Sequence, residues 1–214
     1  MEEVLHLYQL PYDPLRPLWC FDERPCQLLG DTLVPLPMAQ GKPCRQNYEY
    51  ERKGTCSVLL AVQPHTGHCF VQVRHQRTRV PTGRDYAEFM QAFSQAHCPT
   101  GGQIVLVQDN LNTHTPASFY VAFTPEIAFA LKQQFAVHYT PKKASWLNMA
   151  EIERSILAQQ CLDRRIPAFE QMDTEVRAWV RHRNAHPSPI HGQFTPALAR
   201  LKFKRFYPNP SQLT

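Results

Sequence analysis

The stretch that decides the fold is IVLVQDNLNTH, residues 104–114. It opens with four consecutive apolar residues, 104–107, and such a run bounded by polar residues predicts a strand that is buried on both faces. Asp109 follows where this strand must end, and His114 comes five residues later. A carboxylate in that place either caps the next helix or belongs to a site at the edge of a sheet.

Strand patterns dominate up to residue 76, and helical patterns dominate from residue 85 onward. The other predicted strands are 18–21, 26–29 (which continues or pairs with the first), 54–64, 67–76 and 135–141. The predicted helices are 85–97, two helices within 115–134 that begin near Pro116 and Pro125, Trp146–Arg164 and Phe169–His186. The strands 54–64 and 67–76 predict a hairpin with its turn at Pro64–Gly67. This order predicts an α/β fold in which a mixed sheet is covered by helices.

The composition fits one domain with a substantial core, since the chain has 214 residues and 43% of them are hydrophobic. Seven scattered cysteines do not resemble a disulfide framework and favour a reducing compartment. No apolar run approaches the roughly 18 residues of a membrane span, and residues 1–17 do not resemble a signal peptide. We therefore expect a cytoplasmic protein without membrane association.

The formal net charge is +5, and basic residues gather in clusters along the chain. The clusters are Arg74, Arg77, Arg79 and Arg84; Lys142 and Lys143; Arg164 and Arg165; Arg181 and Arg183; and Arg200, Lys202, Lys204 and Arg205. Solvated helix faces explain most such clusters, so they indicate nucleic-acid binding only where phosphate-directed chemistry lies nearby. The group of His65, His68 and Cys69 has no second ligand pair at a fitting distance, and a turn between two strands explains it equally well.

Three carboxylates occupy comparable places near the ends of predicted elements. Asp22 follows the strand 18–21, Asp109 follows the strand 104–107, and Glu151 lies early in the helix after Trp146. If the two strands are parallel neighbours, about 4.8 Å apart, Asp22 and Asp109 meet at the edge where open α/β sheets bind ligands. Carboxylates that close repel unless a cation lies between them, and hard oxygen ligands select Mg²⁺ or Mn²⁺. Two such ions about 3.5–4 Å apart can clamp the attacking and leaving oxygens of a phosphodiester.

Other interpretations stay open on these residues alone. Asp109 can cap the next helix, Asp22 can be a turn residue at a strand end, and Glu151 can be one of many solvated helical acids. Helical spacing also does not choose between Glu151 and Glu153, because the two lie on opposite sides of the apolar stripe of their helix.

Four motifs, in this order, resemble the catalytic domain of DDE-superfamily transposases. They are FDE at 21–23, VQDNLNTH at 107–114, HYTPKKASWLNMAEIE at 138–153 and FTPALARLKFKRFYP at 194–208. More narrowly, they are similar to bacterial insertion-sequence transposases related to the mariner group, the insertion sequence 630 family. The resemblance runs from about Pro11 to Pro208. It implies a ribonuclease H-like α/β fold, in which a mixed five-stranded sheet carries helices on both faces.

The resemblance also implies the site. Asp22, Asp109 and Glu151 match the family's three catalytic, metal-binding acids, with Asp22 on the central strand and Glu151 three residues after Asn148. Glu153 then becomes a supporting or solvated residue. The implied cofactors are two Mg²⁺ (or Mn²⁺) ions, which share Asp22, while Asp109 holds one ion and Glu151 the other. The residues expected at the DNA are Lys142, Lys143, Asn110, His114 and Asn148. For His114, contact with the catalytic acids and a helix cap are alternatives to a phosphate contact.

The implied function is cut-and-paste transposition, in which the enzyme cleaves DNA at transposon ends and joins the freed 3′-hydroxyl to target DNA at TA dinucleotides. The expected partners are the terminal inverted repeats, the target DNA and a second copy of the chain in a homodimer. Because the first catalytic strand starts by residue 18, we expect a helix-turn-helix region to come from a separate partner or an upstream reading frame. We divide the chain into an N-terminal extension (1–17), a catalytic domain (18–208) and a tail (209–214), and expect it at the nucleoid in the cytoplasm.

Two alternative functions stay open at this point. The first is a ribonuclease H-like, structure-directed nuclease that cuts RNA–DNA hybrids or branched DNA without joining ends. The second is a non-catalytic DNA-binding relic of a transposase. A panel of substrates separates the nuclease from the transposase, and the absence of Mg²⁺ or Mn²⁺ binding at Asp22 and Asp109 would favour the relic.

Overall fold

The computed structural model describes residues 1–75, 83–142 and 144–207. Its strands are β1 (Leu18–Asp31), β2 (Tyr50–Gln63), β3 (His68–His75), β4 (Ile104–Gln108) and β5 (Phe135–Tyr139). Its helices are α1 (Glu2–Leu7), α2 (Gly83–His97), α3 (Ala117–Ala122), α4 (Pro125–Gln133), α5 (Ala150–Gln160), α6 (Phe169–Ala185) and α7 (Pro196–Lys202). A 3₁₀ turn, Ser145–Leu147, precedes α5, and another, Lys204–Phe206, follows α7.

The strands form a five-stranded sheet in the order β3–β2–β1–β4–β5. β1 and β3 run antiparallel to β2, whereas β4 runs parallel to both β1 and β5. Leu18 pairs with Val105 and Cys20 with Val107, so β1 and β4 advance in step toward the same edge of the sheet. The expected mixed five-stranded sheet, with its first strand at the centre, is confirmed.

Helices cover both faces of this sheet, because side chains alternate between two buried cores along each strand. On β1, Leu18 and Cys20 belong to the core that includes α5 and α6, whereas Trp19 and Phe21 belong to the core that includes α2, α3 and α4. The same alternation places Asp22 on the face covered by α5. The prediction of helices on both faces is therefore confirmed, and α5 lies over the acid of the central strand.

β1 includes both of the first two predicted strands, so 26–29 continues 18–21 rather than pairing with it. The strand runs through Pro25, ends at Asp31 and pairs with β2. Its pairing with β4 stops at Cys20, so β1 is an edge strand from there on, and an edge strand tolerates a proline. Asp22 consequently lies inside a strand rather than in a turn, beside the open edge where the pairing with β4 has ended.

The helix predicted from Trp146 begins later, at Ala150. Asn148 separates it from the preceding 3₁₀ turn and has an extended conformation, with φ −78° and ψ 111°. Its Oδ1 accepts a hydrogen bond from the N–H of Ala150 (3.2 Å), and its carbonyl oxygen accepts one from the N–H of Glu151 (3.1 Å). α5 therefore starts where an asparagine satisfies N–H groups that a helix leaves free at its start.

Two helices, α1 and α7, have no counterpart among the predicted elements. Val4 of α1 is buried in the core that includes α5 and α6, and the hydroxyl of Tyr8 donates a hydrogen bond to the carbonyl oxygen of Leu147 (2.8 Å). Arg200 of α7 pairs with Glu2 of α1, with Nη2 2.6 Å from Oε2. The first residues of the chain thus pack onto the sheet and onto the segment that leads into α5.

The predicted hairpin is confirmed, since β2 ends at Gln63 and β3 begins at His68. Gly67 in the turn has φ +77°, a backbone conformation that glycine adopts without strain. The segment that contains His65, His68 and Cys69 is therefore the turn between two strands and the start of the second.

Some residues singled out from the sequence lie outside the described ranges; these are Arg77, Arg79, Lys143 and the tail expected at 209–214. Among the helices that the structure describes, none is long and apolar enough to cross a lipid bilayer.

Candidate active site

Asp22 brings the first carboxylate of the candidate site from the central strand, where it is 6% exposed. Its Oδ1 accepts a hydrogen bond from the backbone N–H of Glu23 (2.9 Å), and its Oδ2 lies 2.9 Å from Nε of Arg154. Burial raises the pKa of Asp22 to about 6; the charge of Arg154 and the N–H of Glu23 oppose this shift, whereas the negative charges of Glu151 and Asp109 add to it. The buried carboxylate therefore lacks enough positive charge around it.

Asp109 brings the second carboxylate from the end of β4. It is level with Asp22 when the pairing of β1 and β4 is continued past Cys20 and Val107. Its side chain is 24% exposed, and its Oδ1 lies 3.1 Å from Nδ1 of His114. Because Asp109 lies level with Asp22 on the neighbouring strand, its negative charge adds to the raised pKa of Asp22.

Glu151 brings the third carboxylate from the first turn of α5, and its charge also raises the pKa of Asp22. Its side chain pairs with Arg154, which lies one helical turn later. The start of α5 is held in place by Asn148, whose Nδ2 donates a hydrogen bond to the carbonyl oxygen of Phe21 (2.7 Å). The helix that carries the third acid is thus attached to the residue directly before the first acid.

The oxygen atoms of the three acids are suitable ligands for a hard divalent cation, although in this structure the acids do not surround a single position where an ion would bind. Across 1–75, 83–142 and 144–207, no three acidic, histidine or cysteine side chains converge closely enough to hold a metal ion. Carboxylate oxygens are nevertheless the ligands that Mg²⁺ and Mn²⁺ prefer. In addition, the buried Oδ2 of Asp22 has no hydrogen-bond partner in the described part of the chain. Arg154 supplies the positive charge between Asp22 and Glu151 in this structure.

The structure distinguishes the two glutamates of α5. Glu153 is fully buried and forms a two-point ion pair with Arg183 of α6, with N–O distances of 2.6 and 3.0 Å. A buried carboxylate that is matched by its own arginine is not free to bind a cation. Of the two alternatives for Glu153, the solvated residue is wrong, and the supporting residue agrees with its buried pair with Arg183. Glu151 instead lies with Asp22 and Arg154.

His114 is fully buried behind Asp109 and connects it to a further carboxylate. Its Nδ1 lies 3.1 Å from Oδ1 of Asp109, and its Nε2 lies 3.3 Å from Oε2 of Glu23. Its ring stacks on Tyr86 and meets Phe21 edge-on, with centroids 5.1 Å apart in both cases. Burial lowers the pKa of His114, but the hydrogen bonds to Asp109 and Glu23 outweigh it, so the net pKa is raised. Only a protonated imidazole can donate to both carboxylates at once.

Sequence reasoning missed the roles of Glu23 and Arg154. Glu23 was visible only as the neighbour of Asp22 at an expected strand end, and no spacing rule pairs it with His114, 91 residues away. Arg154 had one available signal, because oppositely charged residues three positions apart on a helix are close enough to pair.

The residues expected at the DNA fall into two groups. Asn110 and Lys142 are exposed on the connections that follow β4 and β5. His114 and Asn148 are buried, at 0% and 1% exposure, and their polar atoms contact the protein itself. These two side chains therefore do not reach DNA in this structure, and His114 instead contacts the acid Asp109. Lys143 lies outside the described residues.

Many cations of the basic clusters are neutralised within the chain. The ion pairs are Arg74–Glu88, Arg84–Glu88, Arg164–Glu175, Arg165–Asp31, Arg183–Glu153 and Arg200–Glu2. Of the same clusters, the described residues that are exposed and form no ion pair are Lys142, Arg181, Lys202, Lys204 and Arg205. These five cations are the ones that can contact phosphate without first losing a carboxylate partner.

A family model described as DDE superfamily endonuclease matches residues 17–173, well over half of the chain. A comparison of the sequence with curated proteins found no match. The matched segment includes Asp22, Asp109 and Glu151.

Solved structures of Mos1 transposase share the fold. The Mos1 mariner paired-end complex with Mn is similar at a TM-score of 0.57 and 12% identity, over 85% of this chain and 52% of that chain. The Mos1 paired-end complex with the left transposon end has a TM-score of 0.50 and 11% identity, over 81% of this chain and 49% of that chain. The pre-cleavage Mos1 transpososome has a TM-score of 0.50 and 14% identity, over 87% of this chain and 53% of that chain. The expected ribonuclease H-like fold is confirmed, and the chain spans about half the length of the Mos1 chains that it matches.

Proposed function

The chain belongs to the family of DDE superfamily endonucleases, and we propose that it is the catalytic domain of a transposase that cuts DNA at transposon ends and joins them to target DNA. The observation that carries this proposal is the arrangement of Asp22, Asp109 and Glu151. The three acids come from β1, the end of β4 and α5, and the charges of the other two both act on the buried Asp22.

Asp22, Asp109 and Glu151 would hold two Mg²⁺ or Mn²⁺ ions. Such ions stabilise the negative charge that develops on a phosphodiester and make a nucleophile available at neutral pH. The chain's own residues position the acids for this chemistry. His114 fixes the carboxylate of Asp109 from behind, and Asn148 fixes the helix start that carries Glu151.

DNA would approach at the edge of the sheet where β4 and β5 end beside Asp22 of β1. Lys142 and Asn110 are exposed on the connections at that edge, and cations there bind the phosphate backbone without regard to sequence. The cations of the basic clusters that form no ion pair would add to this salt-sensitive affinity. By its resemblance to the insertion sequence 630 family, the element would move by cut-and-paste into TA dinucleotides.

The remaining partners follow from the chemistry of moving a DNA segment. Two transposon ends must be brought together, which favours a homodimer, and the terminal repeats must be recognised. We propose that a helix-turn-helix region recognises these repeats, with the protein acting at the nucleoid in the cytoplasm. On this assignment residues 18–208 act as the catalytic domain, with 1–17 and 209–214 as its flanks.

Cleavage of DNA that carries the terminal repeats flanking the gene tests this function. We expect the protein with Mg²⁺ or Mn²⁺ to cut at the repeat and join the new 3′-end to a second duplex. Asp109→Asn should lower the rate by about hundredfold or more, because the metals supply several kcal/mol of transition-state stabilisation. Asp163→Asn, the same change at an exposed position, should leave the rate unchanged.

Three outcomes would contradict the proposal in different ways. Equal cleavage by Asp109→Asn would remove the three acids from the mechanism. Cleavage of branched DNA or RNA–DNA hybrids without joining would identify a structure-directed nuclease. DNA binding without any metal-dependent cleavage would identify a non-catalytic relic.

A further inference from the structure

A guanidinium group already lies among the carboxylates of the candidate site. Arg154 follows Glu151 by three residues on α5, so the two side chains share one side of the helix. Nε of Arg154 is 2.9 Å from Oδ2 of Asp22, and Nη2 pairs with Oε2 of Glu151. One positive charge therefore connects an acid of the central strand with an acid of the covering helix.

The contact between Arg154 and Asp22 is close but poorly directed. Although Nε is 2.9 Å from Oδ2, that oxygen has no hydrogen-bond partner in the described part of the chain. The N–H of Arg154 thus does not point at the oxygen, and the contact is mainly an attraction between charges. This buried carboxylate oxygen accepts no hydrogen bond, which costs free energy until a hydrogen-bond donor or a cation binds to it.

A second arginine–glutamate pair, between Arg183 of α6 and Glu153 of α5, shows the geometry of a permanent structural pair. Arg183 approaches Glu153 with two nitrogen–oxygen contacts of 2.6 and 3.0 Å, and both qualify as hydrogen bonds. The carboxylate of Glu153 is fully buried, whereas the side chains of Glu151 and Arg154 are both 29% exposed. Arg154 can therefore rotate toward solvent, and its pair with Glu151, which is partly exposed on both sides, is weaker than a buried pair.

We propose that Arg154 is a displaceable countercharge, which holds Asp22 and Glu151 together before divalent cations bind and leaves these carboxylates when they bind. This inference rests on the proposed function, since it concerns the same three acids. In the cation-free protein, Arg154 reduces the repulsion between acids that would otherwise separate. Because Arg154 and the incoming cations compete for the same oxygens, its side chain lowers the apparent affinity for metal while keeping the acids assembled.

Calorimetric titration with MnCl₂ tests the competition directly. Arg154→Met keeps the length of the side chain, removes its charge and adds no oxygen ligand. We expect it to bind Mn²⁺ about three- to tenfold more tightly than the parent, a factor set by the strength of a partly exposed ion pair. Arg177→Met is the matched control, since Arg177 pairs with Asp173 in an exposed contact on α6; its Mn²⁺ affinity should equal that of the parent. Arg154→Lys should give an intermediate affinity.

The titration separates failure of this inference from failure of the proposed function. Unchanged or weaker Mn²⁺ binding by Arg154→Met, with binding abolished by Asp109→Asn, would overturn the role of Arg154 and leave the metal site intact. Absence of Mn²⁺ binding in the parent and in every variant would overturn both.

A second measurement on the parent protein does not depend on the folding of a variant. The Nε–H signal of Arg154, assigned by its loss in Arg154→Lys, can be followed by nitrogen-15 NMR during titration with MgCl₂. We expect this signal to shift and to saturate at the midpoint of metal binding. A signal that stays constant while Mg²⁺ binds would show that Arg154 keeps its carboxylate contacts, and the inference would be wrong.

Discussion

Asn148 donates a hydrogen bond through Nδ2 to the carbonyl oxygen of Phe21 at 2.7 Å, and this bond joins two elements that are 127 residues apart in the chain. Phe21 directly precedes Asp22, and Asn148 lies three residues before Glu151. The first and third acids of the candidate site are therefore positioned by one buried hydrogen bond, which fixes the start of α5 against the central strand.

Replacement of Asn148 by alanine should disturb the site more than the fold. Loss of a buried hydrogen bond costs about 1–3 kcal/mol of unfolding free energy, and Glu151 loses its fixed distance from Asp22. We expect DNA cleavage to fall by at least about tenfold, since small misplacements of reacting groups have large effects on rate. Gln160→Ala is the control, because it removes the hydrogen bond from Nε1 of Trp179 (2.9 Å) at the other end of α5 and should destabilise the protein without this loss of cleavage.

The two glutamates of α5 should respond in opposite ways to neutralisation. Glu151→Gln should abolish metal-dependent cleavage and change the unfolding free energy by less than about 1 kcal/mol, because its pair with Arg154 is partly exposed. Glu153→Gln should destabilise the protein by about 3–5 kcal/mol, because it leaves Arg183 without a buried partner. Urea denaturation and a cleavage assay on the same samples measure both effects. The reverse pattern would mean that Glu153 is the third acid.

Asp22 should make the metal-free protein less stable as the pH rises. Its folded pKa of about 6 lies above the ordinary pKa of an aspartate, 3.8, so between these two pH values the folded state holds a proton that the unfolded state releases. The contribution of this proton to the unfolding free energy is fully present below pH 3.8 and is lost as the pH rises through about 6. With a chelator at pH 7.5, Asp22→Asn should therefore be more stable than the parent by on the order of 2 kcal/mol. Lower stability of Asp22→Asn under these conditions would show that the carboxylate is better neutralised than its burial indicates.

His114 should contribute stability that is largest at low pH. Its folded pKa is raised above 6.5 by Asp109 and Glu23, so the contribution is fully present below pH 6.5 and is lost as the pH rises through the folded pKa. His114→Phe keeps the aromatic packing but removes both nitrogen contacts, and it should cost about 3 kcal/mol at pH 6 and less at pH 9. Chemical denaturation at the two pH values measures this difference. An equal cost at both would mean that the imidazole is neutral when it bridges the two carboxylates.

A mixed sheet could be predicted because buried strands have a clear sequence pattern, whereas the central position of Asp22 was implied only by the family resemblance. Residues 104–107 read as a strand covered on both faces, and β4 is that strand. The end of β1 could not be predicted in the same way, because Pro25 normally breaks a central strand. It does not do so here, since β4 pairs with β1 only as far as Cys20, and no local pattern reports where a neighbouring strand ends.

The candidate site was predictable as a set of acids but not as a set of contacts. The chain positions of Asp22, Asp109 and Glu151 follow from local motifs and from a family resemblance. The positions of Glu23, Arg154 and Arg183 depend on which residues of distant elements meet them. Arg183 illustrates the difference, because its place in a basic cluster suggested a DNA-binding surface, whereas it neutralises the buried Glu153.

The central claim is that Asp22, Asp109 and Glu151 together hold divalent cations, and a crystal structure of the protein grown with MnCl₂ tests it most directly, because the anomalous signal of Mn²⁺ locates the ions. We predict anomalous peaks within about 2.0–2.5 Å of the carboxylate oxygens of all three residues, the usual range for oxygen ligands of such cations. Peaks bound elsewhere in the molecule, or a fully occupied ion that contacts neither Asp22 nor Asp109, would contradict the account.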